Sequence, residues 1–496
     1  MRAMQRSLLA VAVLLLAVQF NVSSLKHIKT IKTDAVVLAR AMSKQTVGSP
    51  FPCGDDLDKK IFSIAVPAVV NFMLLPLVGA VDTFWVGQMK EPLAIAGQAA
   101  ANQVFSSIFW IISFLPSVTT PLIARAAGQG DQEKVQDRIG ESLFIGGVMG
   151  LVGMAILLLL PEHAISMVLA KDMPARKYAL PYLKIRAIAF CPSLLATIAF
   201  SAFRGLQDVV TPLKIAVLAN LVNMVMDPLL IFRAGLGVSG AAAATVLAEV
   251  VSFSLHMSTL AKKGLINWSK LFKPPSAQAV KPLMLSGLSL ALRSVALNIA
   301  FLSVTRKVQA LDATGIVAAA HAISIQLWQL GGVFLLAMST VASILVPAEV
   351  AKSQKEGRSL ESAKLIADRM LIWGVLLGVS LGGMQLLSLP LLKTFSPLAE
   401  VQRAARLPSI VGAALQCING VVFIGEGIQQ GNQYFLQLAG TTFVATAGML
   451  ASLHYFGHTL AGVWASFAVF NLVRMAGVLW HHFQAGPLAA RNMKKV

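Results

Sequence analysis

Residues 143–160 read LFIGGVMGLVGMAILLLL, eighteen positions in a row without a charged side chain. A bilayer core about 30 Å thick takes roughly 20 apolar residues as a helix, and lipid offers no partner to an exposed backbone group. Such a run is therefore a membrane-spanning helix; barrel strands would alternate in polarity over about ten residues. The same ruler, moved outward in both directions, gives twelve ranges: about 61–88, 93–124, 139–160, 180–203, 211–232, 236–261, 281–305, 314–347, 370–392, 405–425, 433–456 and 459–483. The expected fold is an all-α membrane protein with twelve transmembrane helices.

Composition agrees and removes other classes. Of 496 residues, 56% are apolar and only 13% charged, which excludes a soluble multidomain enzyme. The 41 Lys and Arg against 22 Asp and Glu leave a net charge of +19. With no polar domain to carry a basic patch, that excess reports membrane topology, and no nucleic-acid partner is expected. Inner connections carry roughly twice the basic residues of outer ones, placing both termini on the cytosolic or stromal side. Cys53, Cys191 and Cys417 are too far apart for a metal cluster or a disulfide framework.

The chain divides into a segment at 1–60, a first lobe at 61–261, a linker at 262–280 holding Pro274 and Pro275, a second lobe at 281–483 and a tail at 484–496. A shift of 223 residues lays Ala96, Gly97 and Gln98 through Gln103 on Ala319, Ala320 and His321 through Gln326. A shift of 222 lays Arg204–Asp208 on Glu426–Gln430, and Gly240 on Gly462. A near-constant offset across six ranges implies two six-helix lobes related by a parallel repeat, with a transport path between them. In the first segment, Arg2 and Arg6 precede a short apolar run from Leu8 to Val18, and Lys26, Lys29, Lys32, Arg40 and Lys44 follow with a single acid, Asp34. That order resembles a signal peptide followed by a transit sequence, hence a plastid envelope, with a plasma or vacuolar membrane and a cytosolic tail as the alternative.

No His-Glu-x-x-His pair, Walker lysine or Gly-x-Ser-x-Gly elbow is present, so the chain is read as no enzyme, and uphill movement must draw on an ion gradient. No cofactor is expected beyond a coupling proton or sodium ion. A charge inside a span costs about 2.5–3.5 kcal/mol on insertion scales, so each one requires a reason. Asp82 stands near the outer end of the first range. Asn220, Asn223 and Asp227 share one stripe of the fifth, since spacings of three and seven return to the same face. Gln98 and Asn102 pair one turn apart on the second range, and Thr245, with Glu249 one turn on, adds a polar face to the sixth. A carboxylate held here can take up and release a proton or, with carbonyl and amide oxygens, hold sodium. Pro67 and Pro76 permit a bend beside Asp82.

The second lobe carries the opposite sign: Arg293, His321 and Arg474, the last one turn from Asn471. Guanidinium forks suit carboxylate or phosphate partners, which points to an anionic solute. The structural alternative is that each Arg binds helix carbonyls, pairs with Glu426 or Glu349, or snorkels.

Twelve spans in two halves, Asp-Thr-Phe-Trp-Val-Gly at 82–87, Phe203–Asp208 followed by Pro212, and Asn220, Asn223 and Asp227 together resemble the multidrug and toxic compound extrusion (MATE) family. The DinF-like branch with its plant plastid members is the nearest pattern, over residues 57–484. The resemblance implies cation coupling at Asp82, Asn223 and Asp227, with Thr245 at the place of a sixth-span threonine. It further implies secondary antiport of a small organic solute by alternation of two lobes, by a membrane-embedded monomer. Other branches hold an acid where this chain has Arg293. Plant relatives of this branch are associated with citrate or phenolic acids, in keeping with an organic anion such as a carboxylate. A flippase for lipid-linked precursors, of related two-lobe architecture, is the alternative function.

Overall fold

The computed structural model describes residues 49–493 except 90, 113, 170, 268–273, 276, 312–315 and 393–397. Most of the expected targeting segment and the middle of the linker, with Lys270 and Lys273, lie outside the described residues. Within them the chain forms helices and connections, with no strand. The first half comprises α1 (Asp56–Gly87), α2 (Pro92–Ile112), α3 (Leu115–Gly128), α4 (Gln132–Leu159), α5 (Pro161–Ser166), α6 (Arg176–Ile188), α7 (Phe190–Gly205), α8 (Val210–Pro228) and α9 (Val238–Lys262). The second comprises α10 (Ala277–Leu311), α11 (Ile316–Lys355), α12 (Glu361–Leu387), α13 (Ala399–Gly431), α14 (Phe435–Phe456), α15 (Leu460–Trp480) and α16 (Ala490–Met493). Each expected range contains helix among its described residues. Among the described residues, nine helices are long and apolar enough to cross a bilayer, or ten if α6 and α7 count as one bent span.

Two ranges that read as single helices are broken, and proline accounts for both. Pro116 sits in the first turn of α3, where its missing N–H is harmless, so the chain restarts there rather than continuing α2. Pro192 leaves the Ile188 carbonyl without its usual donor four residues on, and α6 and α7 meet at 49°. By contrast α1 continues as helix through Pro67 and Pro76.

Small residues set how closely helices approach, and they recur at matching places in the halves. On α4, a Cβ at Gly150 would lie 2.8 Å from the Cα of Cys191 on α7. On α12, a Cβ at Gly374 would lie 2.4 Å from the Gly420 carbonyl oxygen on α13. In each half the third range therefore packs backbone to backbone on the fourth, the membrane counterpart of a small-residue interface.

The halves meet along one end of the bundle. A Cβ on Gly128 of α3 would fall 2.2 Å from the Ala348 carbonyl oxygen of α11, the Lys355 ammonium donates to the Gln129 carbonyl, and Gln430 Nε2 donates to the Ser117 carbonyl at 3.2 Å. Arg204 at the end of α7 donates to Thr340 Oγ1 of α11 at 2.8 Å. The start of α1 joins this end: Ile61, Ile64 and Ala65 are buried in one cluster with Val341, Ile344, Met370 and Ile424 of the second half.

That entry is fixed by charge. Asp55 caps α1 by accepting the Asp58 N–H at 3.0 Å, and Asp58 reaches back to the N–H groups of Cys53 and Gly54 at 2.9 and 2.8 Å. Arg369 of α12, fully buried, donates to both Asp55 oxygens at 2.7 Å, and Trp373 Nε1 donates to Asp58 at 2.8 Å. The hydrogen bond from Arg369 holds the Asp55 carboxyl down from 3.8 to about 2. A carboxyl lowered on folding stabilises the fold fully above its unfolded value and loses that contribution as pH falls through its folded value. Asp55→Asn should thus lower the thermal midpoint of the detergent-purified protein above about pH 4, and the gap to the wild type should close as pH approaches 2. A gap that does not change with pH would remove the ion pair from this account.

Candidate functional site

Two clusters of ionisable groups lie among the helices. The first belongs to α1, α2, α6, α8 and α9. Asp82, 7% exposed, and Asp227, fully buried, bring their carboxyls within hydrogen-bonding reach of each other. Asn223 is buried one turn before Asp227 on the same stripe of α8, with Asn220 half-buried beyond it. Among the described residues no donor reaches Asp82 Oδ1 or either oxygen of Asp227. Both carboxylates are acceptors only, and two acceptors in contact in a low dielectric repel unless a proton or cation lies between them.

A ring of partners surrounds this pair. Arg186 of α6 donates to Glu249 Oε1 of α9 at 2.9 Å and lies close enough to Asp82 to act on it electrostatically. The Ser193 hydroxyl donates to the other Glu249 oxygen. The guanidinium carbon of Arg186 sits 4.3 Å from the Phe105 ring centre, a desolvated cation–π contact. Tyr182, one turn before Arg186, donates to Asn102 Oδ1 at 3.2 Å with Gln98 beside the same hydroxyl. Gln98 and Asn102, expected to meet solute, thus adjoin the acidic pair. Thr245 donates to its own helix at Ala241 O, 3.0 Å away. Three carboxyls, Asp82, Asp227 and Glu249, face the single Arg186, so the fully ionised cluster carries two uncompensated negative charges.

The second cluster belongs to α10, α13 and α15. Glu426, 6% exposed, accepts Arg474 Nε and Nη2 at 2.8 Å each and Arg293 Nη2 at 2.6 Å. Arg474 also donates to Asn471 Oδ1 at 3.2 Å and lies 5.1 Å from the Phe470 ring centre. The two arginines expected to face a solute are joined through one carboxylate, with a single positive charge in excess. His321 is apart from them: buried, it stacks at 19° to Phe467 and meets Trp464 edge-on. Arg204, the repeat mate of Glu426, lies near the Phe200 and Phe72 rings, 5.6 and 6.0 Å from their centres.

Sequence reasoning missed Arg186, Tyr182 and Ser193. The usable signal was the fourth range itself, where Tyr182 and Arg186 stand one turn apart.

Membrane-length helices with charged clusters buried among them are the features of a multi-span membrane protein. Residues 67–229 match the MatE family. Protein DETOXIFICATION 44, chloroplastic, of Arabidopsis thaliana is 28% identical over 454 residues, covering 87% of this chain and 83% of that one. DNA damage-inducible protein F of Escherichia coli (strain K12) is 26% identical over 206 residues, covering 41% of this chain and 44% of that one. A crystal structure of a MATE protein in the bent conformation superposes with a TM-score of 0.78 at 19% identity, covering 89% of this chain and 97% of that one. The chain is similar to MATE family proteins of the plastid and DinF type, through the match over residues 67–229 and through these relatives.

Proposed function

We propose that the protein is a secondary antiporter in which an inward-moving proton or sodium ion, held between Asp82 and Asp227, drives export of a small organic anion. The observation that carries this reading is the buried carboxyl pair without a donor among the described residues, which a single cation completes. Asn220, Asn223 and Thr245 supply neutral oxygens on neighbouring turns. On the solute's side we place Arg293, with Arg474 behind it on Glu426, and assign Gln98, Asn102 and His321 to other stretches of the same path.

The architecture that serves this is twelve spans in two six-helix lobes, 61–261 and 281–483, joined by the linker at 262–280. The glycine-backed contacts that recur in both halves support it. In this arrangement the seam at Gly128, Lys355, Gln430 and Arg204 joins connections that the basic-residue bias assigns to the inner face, so the cleft opens to the other side. The chloroplastic relative supports a plastid envelope, with residues 1–60 as targeting segment and both termini on the stromal or cytosolic side. The transporter works as a monomer. A lipid-linked-precursor flippase would need a uniformly cationic cleft, and the acidic cluster opposes it.

The test is flux in vesicles loaded with radiolabelled organic acids, under an imposed pH or sodium gradient. One gradient should accelerate solute movement in the opposite direction, and the matching ionophore should abolish the effect. Flux indifferent to both gradients would exclude cation-coupled antiport.

A further inference from the structure

The two arginines on Glu426 are not equivalent. Arg474 is spent on protein partners, with Nε and Nη2 on the carboxylate, Nη1 on Asn471 and its side chain 7% exposed. Arg293 makes one bond, from Nη2 to Glu426 Oε2; its Nε has no partner among the described residues, and its side chain is 20% exposed. Glu426 lies one turn before Gln430, the residue that bonds Ser117 of the other half, so this cluster borders the closing seam.

We propose that Arg293 is the anion-recognition group of the transporter and that Glu426 is a built-in competitor for it, so that the site selects monoanionic carboxylates. When a carboxylate solute arrives, Glu426 keeps its bidentate bond to Arg474 and yields Arg293, which turns its fork onto the solute. No proton moves and no charge is stranded. The cluster passes from one excess positive charge to none, as two pairs of one guanidinium and one carboxylate. A neutral analogue leaves the excess cation in place, and a dianion overshoots to an excess negative charge, each unfavourable in a low-dielectric site. Arg474 is the positioning residue in this scheme, because it retains Glu426 when Arg293 lets go.

The inference rests on the antiport reading only in calling the bound anion a solute, and binding needs no gradient. The full chain in detergent, titrated with benzoate and with neutral benzamide, should bind benzoate at least tenfold tighter. Arg293→Gln leaves a neutral Glu426–Arg474 pair; it should erase that preference, benzoate falling to the affinity of benzamide. Should that variant fail to fold, Arg293→Lys, which keeps the charge and loses the fork, should weaken benzoate several-fold and narrow the preference. Equal binding of the two probes by the wild type, or benzoate binding untouched in the variants, would overturn the proposal. Failure of cation-driven flux alongside Arg293-dependent benzoate binding would sink the antiport reading and leave this one standing.

Discussion

Asp227→Asn is expected to reduce gradient-driven export to the level of empty vesicles while leaving the protein folded and inserted. The amide occupies the volume of the carboxyl, so helix packing around α8 is undisturbed. It also brings a donor to a place where Asp82 Oδ1 has none among the described residues. One carboxylate and one amide satisfy each other, and the site no longer requires a proton or cation to be complete. The thermal midpoint should therefore stay at or above that of the wild type while coupling is lost, a combination that simple misfolding would not produce. Asp82→Asn should do the same from the other side. Because the two groups act as a unit, the double variant should be no worse than either single one. Undiminished export by Asp227→Asn, in the presence of an intact gradient, would exclude Asp227 as an obligatory coupling group.

The acidic pair illustrates what could be read in advance. Asn220, Asn223 and Asp227 stand out because a 3.6-residue period puts three polar groups on one face of an apolar helix, and Asp82 because it is the one acid in the first range. Their contact joins residues 82 and 227 across intervening helices, and one sequence carries no information on which distant helix faces which. Arg186 shows a different limit. A cation within a span gives no sign of the partner that retains it until Glu249 is placed 2.9 Å away. Arg293 and Arg474 could be identified as cations in apolar surroundings, but whether they met a solute or Glu426 depended on the relative rotation of α10, α13 and α15, which is set by tertiary packing. The helix breaks between Ile112 and Leu115 and at Ala189 were written in Pro116 and Pro192, yet prolines at Pro67 and Pro76 leave α1 helical. Local chemistry permits a break; the neighbours decide whether it happens.

Removing Glu426 outright should be the most destabilising change in the second half. Glu426→Ala leaves the Arg474 guanidinium, 7% exposed, and that of Arg293 facing each other with no anion between them. Breaking a buried pair by deleting one partner costs about 3–5 kcal/mol, and here a single deletion strands two cations. The expected result is a large drop in thermal midpoint or failure to insert. If the cluster served only to hold helices together, replacing all three members by apolar residues of similar volume should be tolerated, since the desolvation cost of the ions disappears with the ions. We expect the triple variant Arg293→Met, Glu426→Leu, Arg474→Met to recover a midpoint near that of the wild type and yet to transport no anion. Recovery of both stability and anion export by the triple variant would assign the cluster a structural role alone. Stability without export would instead locate the reason for keeping three charges in oil in the solute, since packing would be shown to manage without them.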